Sequence, residues 1–170
     1  MAIDKKMEQA FNDQINKEYY SAYLYLAMKA RFSEMGLDGF VNWFDIQVQE
    51  EKAHAQGMYN YVLERGGHIE LEAIDKPVID GSTPLEIFKQ VLEHEEYVTS
   101  RINAVADVAD EVKDRAALIF LNWYIKEQVE EEASVGGVLS KLELIGDDKQ
   151  GLLSLDKELG SRVFNPPVIG

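Results

Sequence analysis

The amino-acid sequence predicts an all-α protein: a four-helix bundle with one long crossover connection and a short fifth helix at the C-terminal end. Proline, the residue that most strongly ends helices, occurs at four positions only, and the stretches 3–66 and 85–146 contain none. Apolar residues recur in both stretches with the 3.6-residue period of an amphipathic helix. Each stretch is long enough for two helices, and a turn signal divides each one near its middle.

The first stretch predicts helices at about 4–34 and 38–65. In the first helix the apolar rhythm extends from Met7 to Phe32, and Gly36 supplies the break. Asp38 is the predicted N-cap of the second helix. That helix ends at Arg65, a cation in the last turn that is followed by two glycines. A tight link therefore joins two antiparallel helices.

Residues 67–83 have no helical stripe and predict a long irregular connection. Its roughly 17 residues can reach ~55 Å, more than the ~42 Å of a 28-residue helix, so it can run the length of the bundle and make the second and third helices parallel. Thr83, Pro84 and Glu86 form a helix-start signal, with an N-cap, a proline at the first position and a capping-box acid. Helices follow at about 84–111, 114–145 and 148–160, and the whole chain, 1–170, is predicted to be one domain.

Composition narrows the classes of partner. The chain has 31 acidic and 17 basic residues and a net charge of −14, so cations are favoured as ligands and no nucleic-acid or membrane partner is expected. The absence of cysteine excludes disulfides, thiolate metal sites and thiol nucleophiles. No signal-peptide pattern or membrane-spanning window is found, which predicts a cytoplasmic location.

Each of the four apolar stripes contains a polar residue near its middle: Glu18, Glu51, Glu95, and Gln128 with Glu131. Burying one ionised carboxylate without a partner costs several kcal/mol. A glutamate on one apolar stripe is most often a boundary residue. Four stripes with a polar residue at this point indicate that one partner offsets the cost of burying all of them. A bound cation would be such a partner.

The positions of these residues along the helices test whether they can meet. Glu18 lies about 18 residues before the first turn and Glu51 about 15 after it, so their heights differ by only ~5 Å. Glu95 and Gln128 are level in the same way in the second pair of helices. His54 follows Glu51 by one helical turn, where imidazole and carboxylate can share a metal. Oxygen and nitrogen ligands without thiolate favour iron or manganese, and a carboxylate-bridged pair could deliver two electrons to O2.

A second group of acids lies at nearly the same height: Glu50, Glu127 and Glu130. The run from Glu130 to Glu132 is compatible with a solvated helix face and equally with a further cation site. Tyr25 lies on the face of Glu18. It is either a core aromatic residue or a redox-active neighbour of the metals.

Four segments carry a resemblance to a known family. They are NDQINKEYYSAYLY at 12–25, QEEKAH at 49–54, EHE at 93–95 and EQVEEE at 127–132. Spaced in this way, they resemble the segments of prokaryotic non-haem ferritins, over about residues 3–162. The resemblance implies a ferritin-like bundle whose first iron is held by Glu18, Glu51 and His54.

The same resemblance implies the remaining roles. The second iron would be served by Glu51, Glu95 and Glu131, with Gln128 nearby. A third iron would lie at Glu50, Glu127 and Glu130, with Glu131 as a further candidate, and Tyr25 would donate an electron. Together these implied roles assign Fe(II) oxidation to the following catalytic residues: Glu18, Tyr25, Glu51, His54, Glu95 and Gln128.

The implied function is that of an iron-storage ferritin. It would oxidise Fe(II) with O2 or H2O2 at a di-iron ferroxidase centre inside one subunit and store ferric oxyhydroxide in a shell of twenty-four subunits, with the fifth helix lining channels at the four-fold axes. No haem is expected, because Lys52 stands where bacterioferritins, a related family, carry a methionine. The fourth helix has Gln128-x-x-Glu131 in place of their second Glu-x-x-His.

Two other functions remain open. One is a stress protein similar to the DNA-protecting mini-ferritins, whose main role is peroxide removal or DNA protection. The other is a non-catalytic bundle in which the buried carboxylates form a structural network. It predicts a metal-free protein whose stability does not depend on Glu51.

Overall fold

A computed structural model of the chain describes residues 2–169. It contains five α-helices: α1 (Lys5–Met35), α2 (Asp38–Glu64), α3 (Pro84–Glu111), α4 (Arg115–Ile145) and α5 (Lys149–Leu159). Residues 67–83 form an irregular connection. The predicted class, a four-helix bundle with one long crossover and a short fifth helix, is confirmed. The terminal residues of the predicted domain, Met1 and Gly170, lie outside the described residues.

The contacts at one end of the bundle establish the helix directions. Arg65, at the end of α2, pairs with Asp114, at the start of α4, with 2.9 Å between Nη2 and Oδ2. The backbone N–H of Ile3, just before α1, donates to the carbonyl of Arg65 at 3.0 Å. The starts of α1 and α4 therefore lie beside the ends of α2 and α3, which makes α2 and α3 parallel.

The long connection is fastened along α1. Asn12 Nδ2 donates to the carbonyl of His68 at 2.9 Å, and Asn16 Nδ2 donates to that of Ala73 at 3.1 Å. Because Asn12 and Asn16 are one helical turn apart, their amides hold successive parts of the connection. The crossover is thus ordered by side-chain hydrogen bonds to its backbone.

Two helix starts are capped in different ways. Thr83 and Glu86 form the predicted capping box at the start of α3, with Pro84 as its first residue. The prediction that Asp38 caps α2 is wrong, because Asp38 is the first helical residue and Leu37, without a side-chain cap bond, precedes it. Asp156 of α5 supplies the cap instead.

The contact between α5 and α2 depends on a glycine. Asp156 Oδ1 accepts the backbone N–H groups of Gly39 and Phe40 at 2.8 and 3.0 Å. A Cβ atom at position 39 would lie 1.6 Å from the carbonyl oxygen of Asp156. Any larger residue at this position would force α5 away from the start of α2.

The bundle core consists of two hydrophobic clusters rather than one. One cluster lies toward the α1–α2 turn, and its aromatic rings include Phe32 and Phe40, stacked 4.8 Å apart. The other lies toward the opposite end and includes Phe11 and Phe120. On every long helix, the residues between the two clusters include the polar ones of the stripes. In residues 2–169, no helix is long and apolar enough to cross a membrane.

Candidate metal centre

The layer between the two clusters is built by polar side chains from all four long helices, each at most 4% exposed. They are Gln14 and Glu18 of α1, Gln47, Glu51 and His54 of α2, Glu95 of α3, and Gln128 and Glu131 of α4. Each occupies a core position of its helix, because the 3.6-residue period that buries the neighbouring apolar residues buries it as well.

Three of these residues form what we call the inner set: Glu18, Glu51 and His54. His54 Nδ1 lies 3.6 Å from Glu51 Oε2 and 3.8 Å from Glu18 Oε2. One potential ligand atom from each residue lies within 4.8 Å of the other two. The Oε2 atoms of Glu18 and Glu51 are buried and accept no hydrogen bond. Such unpartnered carboxylate oxygens around an imidazole are what a cation would bind.

Neighbouring groups orient the inner set. Gln14 Nε2 donates to Glu18 Oε1 at 2.8 Å, which leaves Oε2 as the free oxygen. Tyr124 donates its hydroxyl to the carbonyl of His54 at 2.8 Å, and the ring of Trp123 packs edge-on against the imidazole at 5.4 Å between centroids. The Gln14 bond thus determines which oxygen of Glu18 is free, and the Trp123 ring limits the orientation of the imidazole.

Glu95 is held by donors on both oxygens. Tyr25 donates its hydroxyl to Oε1, and Gln128 Nε2 donates to Oε2 at 3.1 Å. The same Gln128 amide lies 3.3 Å from Thr99 Oγ1. In the described part of the chain, Glu95 belongs to neither group of potential ligand atoms, although it lies close enough to raise the pKa of Glu51.

The electrostatics of the layer oppose ionisation. Burial raises the pKa of Glu51 well above its usual range, and the charges of Glu95 and Glu18 raise it further. Burial raises the pKa of Glu95 to about 8, and the charge of Glu131 acts in the same direction. Burial also raises the pKa of Tyr25. A bound cation would replace the protons that these carboxyl groups otherwise retain.

A second group of potential ligands, the outer set, consists of His54, Glu127 and Glu131. Gln47 Nε2 donates to Glu131 Oε2 at 3.0 Å and orients that carboxylate. Glu127 is only partly buried, and burial raises its pKa. Because His54 belongs to both sets, one imidazole lies between two possible cation positions.

Two of the predicted ligands of the third iron lie outside both sets. Glu50 forms an ion pair with Arg162, with 2.8 Å between Oε2 and Nη2. Burial nevertheless raises the pKa of Glu50, and the guanidinium opposes that shift. Glu130 is exposed on the surface of α4. The structure therefore brings Glu127 and Glu131 to His54, and it does not bring Glu130 there.

Six residues of this region were not identified as functional by sequence reasoning: Gln14, Gln47, Thr99, Trp123, Tyr124 and Arg162. Gln47 lies one turn before Glu51 on the same face, and its position on an apolar stripe was a usable signal. Arg162 gave no such signal. It follows α5 and reaches α2 only through the path of the chain after that helix.

Comparisons with known proteins agree with this geometry. The family model described as a ferritin-like domain matches residues 8–145. A bacterial non-heme ferritin of Staphylococcus aureus (strain MRSA252) is 43% identical over 163 residues, which cover 96% of this chain and 98% of that protein. A bacterial non-heme ferritin of Bacteroides fragilis (strain 638R) is 40% identical over 160 residues, covering 94% and 99%.

Solved structures give the same result. A form of the Archaeoglobus fulgidus ferritin that was engineered to be closed matches with a TM-score of 0.95 and 49% identity, over 96% of this chain and all of that one. The open pore ferritin of the same hyperthermophilic archaeon matches with a TM-score of 0.93 and 50% identity, over 95% and 98%. The likeness extends beyond the family model to α5, since residues 8–145 end with α4.

Proposed function

The chain belongs to the ferritin family, and we propose that it takes up Fe(II), oxidises it at a di-iron centre within the subunit and stores the product as ferric oxyhydroxide. The observation that carries this proposal is the inner set. Two buried carboxylate oxygens without hydrogen-bond donors lie within 4 Å of one imidazole nitrogen. A structural network would pair those oxygens with donors.

Each residue has a role in the proposed reaction. Glu18, Glu51 and His54 hold the first Fe(II). Glu51, Glu95 and Glu131 serve the second, and Gln128 orients Glu95 through the hydrogen bond to Oε2. Two Fe(II) ions lose one electron each, and these two electrons with two protons reduce O2 to H2O2 or H2O2 to water.

Tyr25 is the proposed donor of a further electron. Together with one electron from a third Fe(II) ion and two protons, it would complete the reduction of H2O2 to two water molecules. Its hydroxyl already donates a hydrogen bond to Glu95 Oε1, so the proton that a tyrosine loses on oxidation has an acceptor in place. The ring is fully buried and packs against Phe44 at 5.9 Å between centroids. Burial also protects the oxidised ring from solvent.

A third iron is proposed to lie at the outer set, on Glu127 and Glu131, with Glu50 and Glu130 as the further acids on its path. From there the product would move to a cavity enclosed by twenty-four subunits, in the cytoplasm. Light scattering of the purified protein tests the assembly, since twenty-four chains of 19.3 kDa give about 460 kDa. A mass of one or two chains would contradict the cage.

Aerobic titration of metal-free protein with Fe(II), followed by ferric absorbance in the near ultraviolet, tests the chemistry. The parent should show a rapid initial phase that ends at two or three irons per subunit. Glu51→Gln, which keeps the shape of the side chain and removes its charge, should lose that phase. Glu143→Gln on the exposed surface of α4 is the matched control and should retain it. Oxidation no faster than in buffer, in the parent as in Glu51→Gln, would leave a structural bundle as the better description.

A further inference from the structure

The segment that follows α5 returns along α2. Asn42 Nδ2 donates to the carbonyls of Leu159 and Arg162 at 3.1 and 3.0 Å and anchors the start of the segment. Its far end reaches Gly57, where a Cβ atom would lie 2.9 Å from Ile169 Cδ1. The segment therefore passes the stretch of α2 that contributes Glu51 and His54.

Arg162 inserts its side chain between this segment and α2. Its Nη1 donates to Gln47 Oε1 at 2.6 Å, and its Nη2 donates to Glu50 Oε2 at 2.8 Å. The guanidinium carbon lies 5.3 Å from the centroid of the Trp43 ring. Two hydrogen bonds and an aromatic face fix the planar fork in one orientation, which a lysine could not reproduce.

Through Gln47 the same guanidinium acts on the outer set. Gln47 accepts from Arg162 through Oε1, so its amide nitrogen faces the other way and donates to Glu131 Oε2 at 3.0 Å. Arg162 thus neutralises Glu50 directly and orients Glu131 through Gln47. Among the ion pairs of residues 2–169, the pair of Arg162 with Glu50 is the one that reaches the acids around His54 from a lysine or an arginine.

We propose that Arg162 is a positioning residue that weakens the hold of the outer acids on a departing iron ion. The proposal rests on the proposed function, in which iron leaves the centre past Glu127 and Glu131. A cation that binds Glu50 Oε2 has to displace the guanidinium, and a cation beside Glu131 is repelled by the same charge. Iron at this position is consequently held less tightly than at the inner set, which favours transfer to the store.

Calorimetric titration of the assembled, metal-free protein with Zn(II), a redox-inert probe, tests the proposal. Arg162→Gln should tighten the weakest class of sites about tenfold and leave the tighter classes unchanged. Arg162→Lys, which keeps the charge but not the fork, should lie between the parent and Arg162→Gln. Arg31→Gln, which removes an equal charge from an exposed pair with Glu34, should have no effect.

A double-mutant comparison separates the charge effect from the anchoring of the segment. In a Glu50→Gln background, the effect of Arg162→Gln should be smaller than in the parent, because one of the two contacts is already gone. Ile169→Ala, which removes the far contact of the segment with Gly57 and leaves Arg162 anchored by Asn42, should not reproduce the tightening. An unchanged or weaker outer class in Arg162→Gln, or equal tightening in Ile169→Ala, would overturn the role of Arg162. A parent that binds no Zn(II) at the inner set would overturn the proposed function itself.

Discussion

The inner and outer sets share His54 but solve the problem of buried negative charge in opposite ways. Glu18 and Glu51 of the inner set are 1% exposed, and no lysine or arginine among residues 2–169 forms an ion pair with them. Glu127 of the outer set is nearer the surface. Arg162 pairs with Glu50 beside that set and reaches Glu131 through Gln47. The inner set thus has no cationic side chain of the described residues as a partner apart from His54, whereas a guanidinium lies next to the outer set.

In the proposed function, this difference separates a position that binds iron from one that releases it. A site whose own charges repel one another gains most from a cation, because binding removes the repulsion as well as forming new bonds. A site with a guanidinium beside it gains less. Compensation of the acids by the protein therefore increases from the inner set to the outer set. This is the direction proposed for iron transfer.

The largest expected effect is a difference in the rate of Fe(II) oxidation between variants of Glu18 on α1 and of Glu50 on α2. Glu18→Gln should slow the rapid phase of Fe(II) oxidation at least about a hundredfold, since replacing even the partners of metal ligands costs 10–100-fold. Glu50→Gln should slow it about tenfold or less, because Glu50 is engaged by Arg162. Stopped-flow absorbance measures both. Equal losses in the two variants would remove the distinction between the sets.

The pH dependence of metal-free protein tests the inner layer without iron. The pKa of Glu95 is raised from 4.5 to about 8, so the folded protein retains a proton that the unfolded chain releases in this interval. The free energy of unfolding should therefore fall as pH rises from about 4.5 to about 8. Urea unfolding at a series of pH values measures it.

Glu95→Gln provides the control for that series. The glutamine cannot ionise, so the decrease in stability with pH should become shallower. It should not disappear, because the pKa values of Glu51 and Glu131 are raised as well. A slope identical to that of the parent would show that Glu95 is not protonated in the folded protein.

A moderate effect is expected from Tyr25→Phe. The variant keeps the buried ring and removes only the hydroxyl that donates to Glu95. We expect the first oxidation to slow by a few-fold and the protein-based radical signal in electron paramagnetic resonance after rapid freezing to be lost. A radical of unchanged intensity would assign the electron to another residue.

The smallest effects distinguish Glu127 of the outer set from Glu130, which lies outside it. Glu127→Gln should lower the number of irons oxidised in the initial phase by about one per subunit, because Glu127 lies with His54 and Glu131. Glu130→Gln should leave that number unchanged, since Glu130 is exposed and substitutions at such positions are usually small in effect. A loss in Glu130→Gln equal to that in Glu127→Gln would restore the predicted ligand set with Glu130.

Much of the fold could be predicted because its signals are local. Helix period, the glycine breaks and the Thr83–Glu86 capping box each depend on a few neighbouring residues. The cap of α2 could not be predicted in this way. Asp38 has a residue type that caps helices, but it is the first helical residue, and α5 brings Asp156 to the N–H of Gly39 from 117 residues away.

The candidate site also has a part that local sequence signals predict and a part that they do not. Residue positions along the helices placed Glu18, Glu51 and His54 at one height, and the structure brings them together. The free oxygens of Glu18 and Glu51 were beyond prediction, because they depend on donors such as Gln14 and on side-chain rotamers. Glu130 is a predicted ligand that the structure does not bring to His54. It lies two residues from Gln128, on the solvent side of α4.

By itself, the sequence determined the helices, their order and the level at which carboxylates interrupt the core, since the 3.6-residue period and the helix rise are properties of the local chain. Only the tertiary structure decided that Arg162 returns to Glu50, that Gln47 links it to Glu131, and that His54 lies between two sets of acids. These contacts join segments that are remote in sequence. Their geometry depends on packing between helices and on the path of the C-terminal segment, neither of which has a local signal.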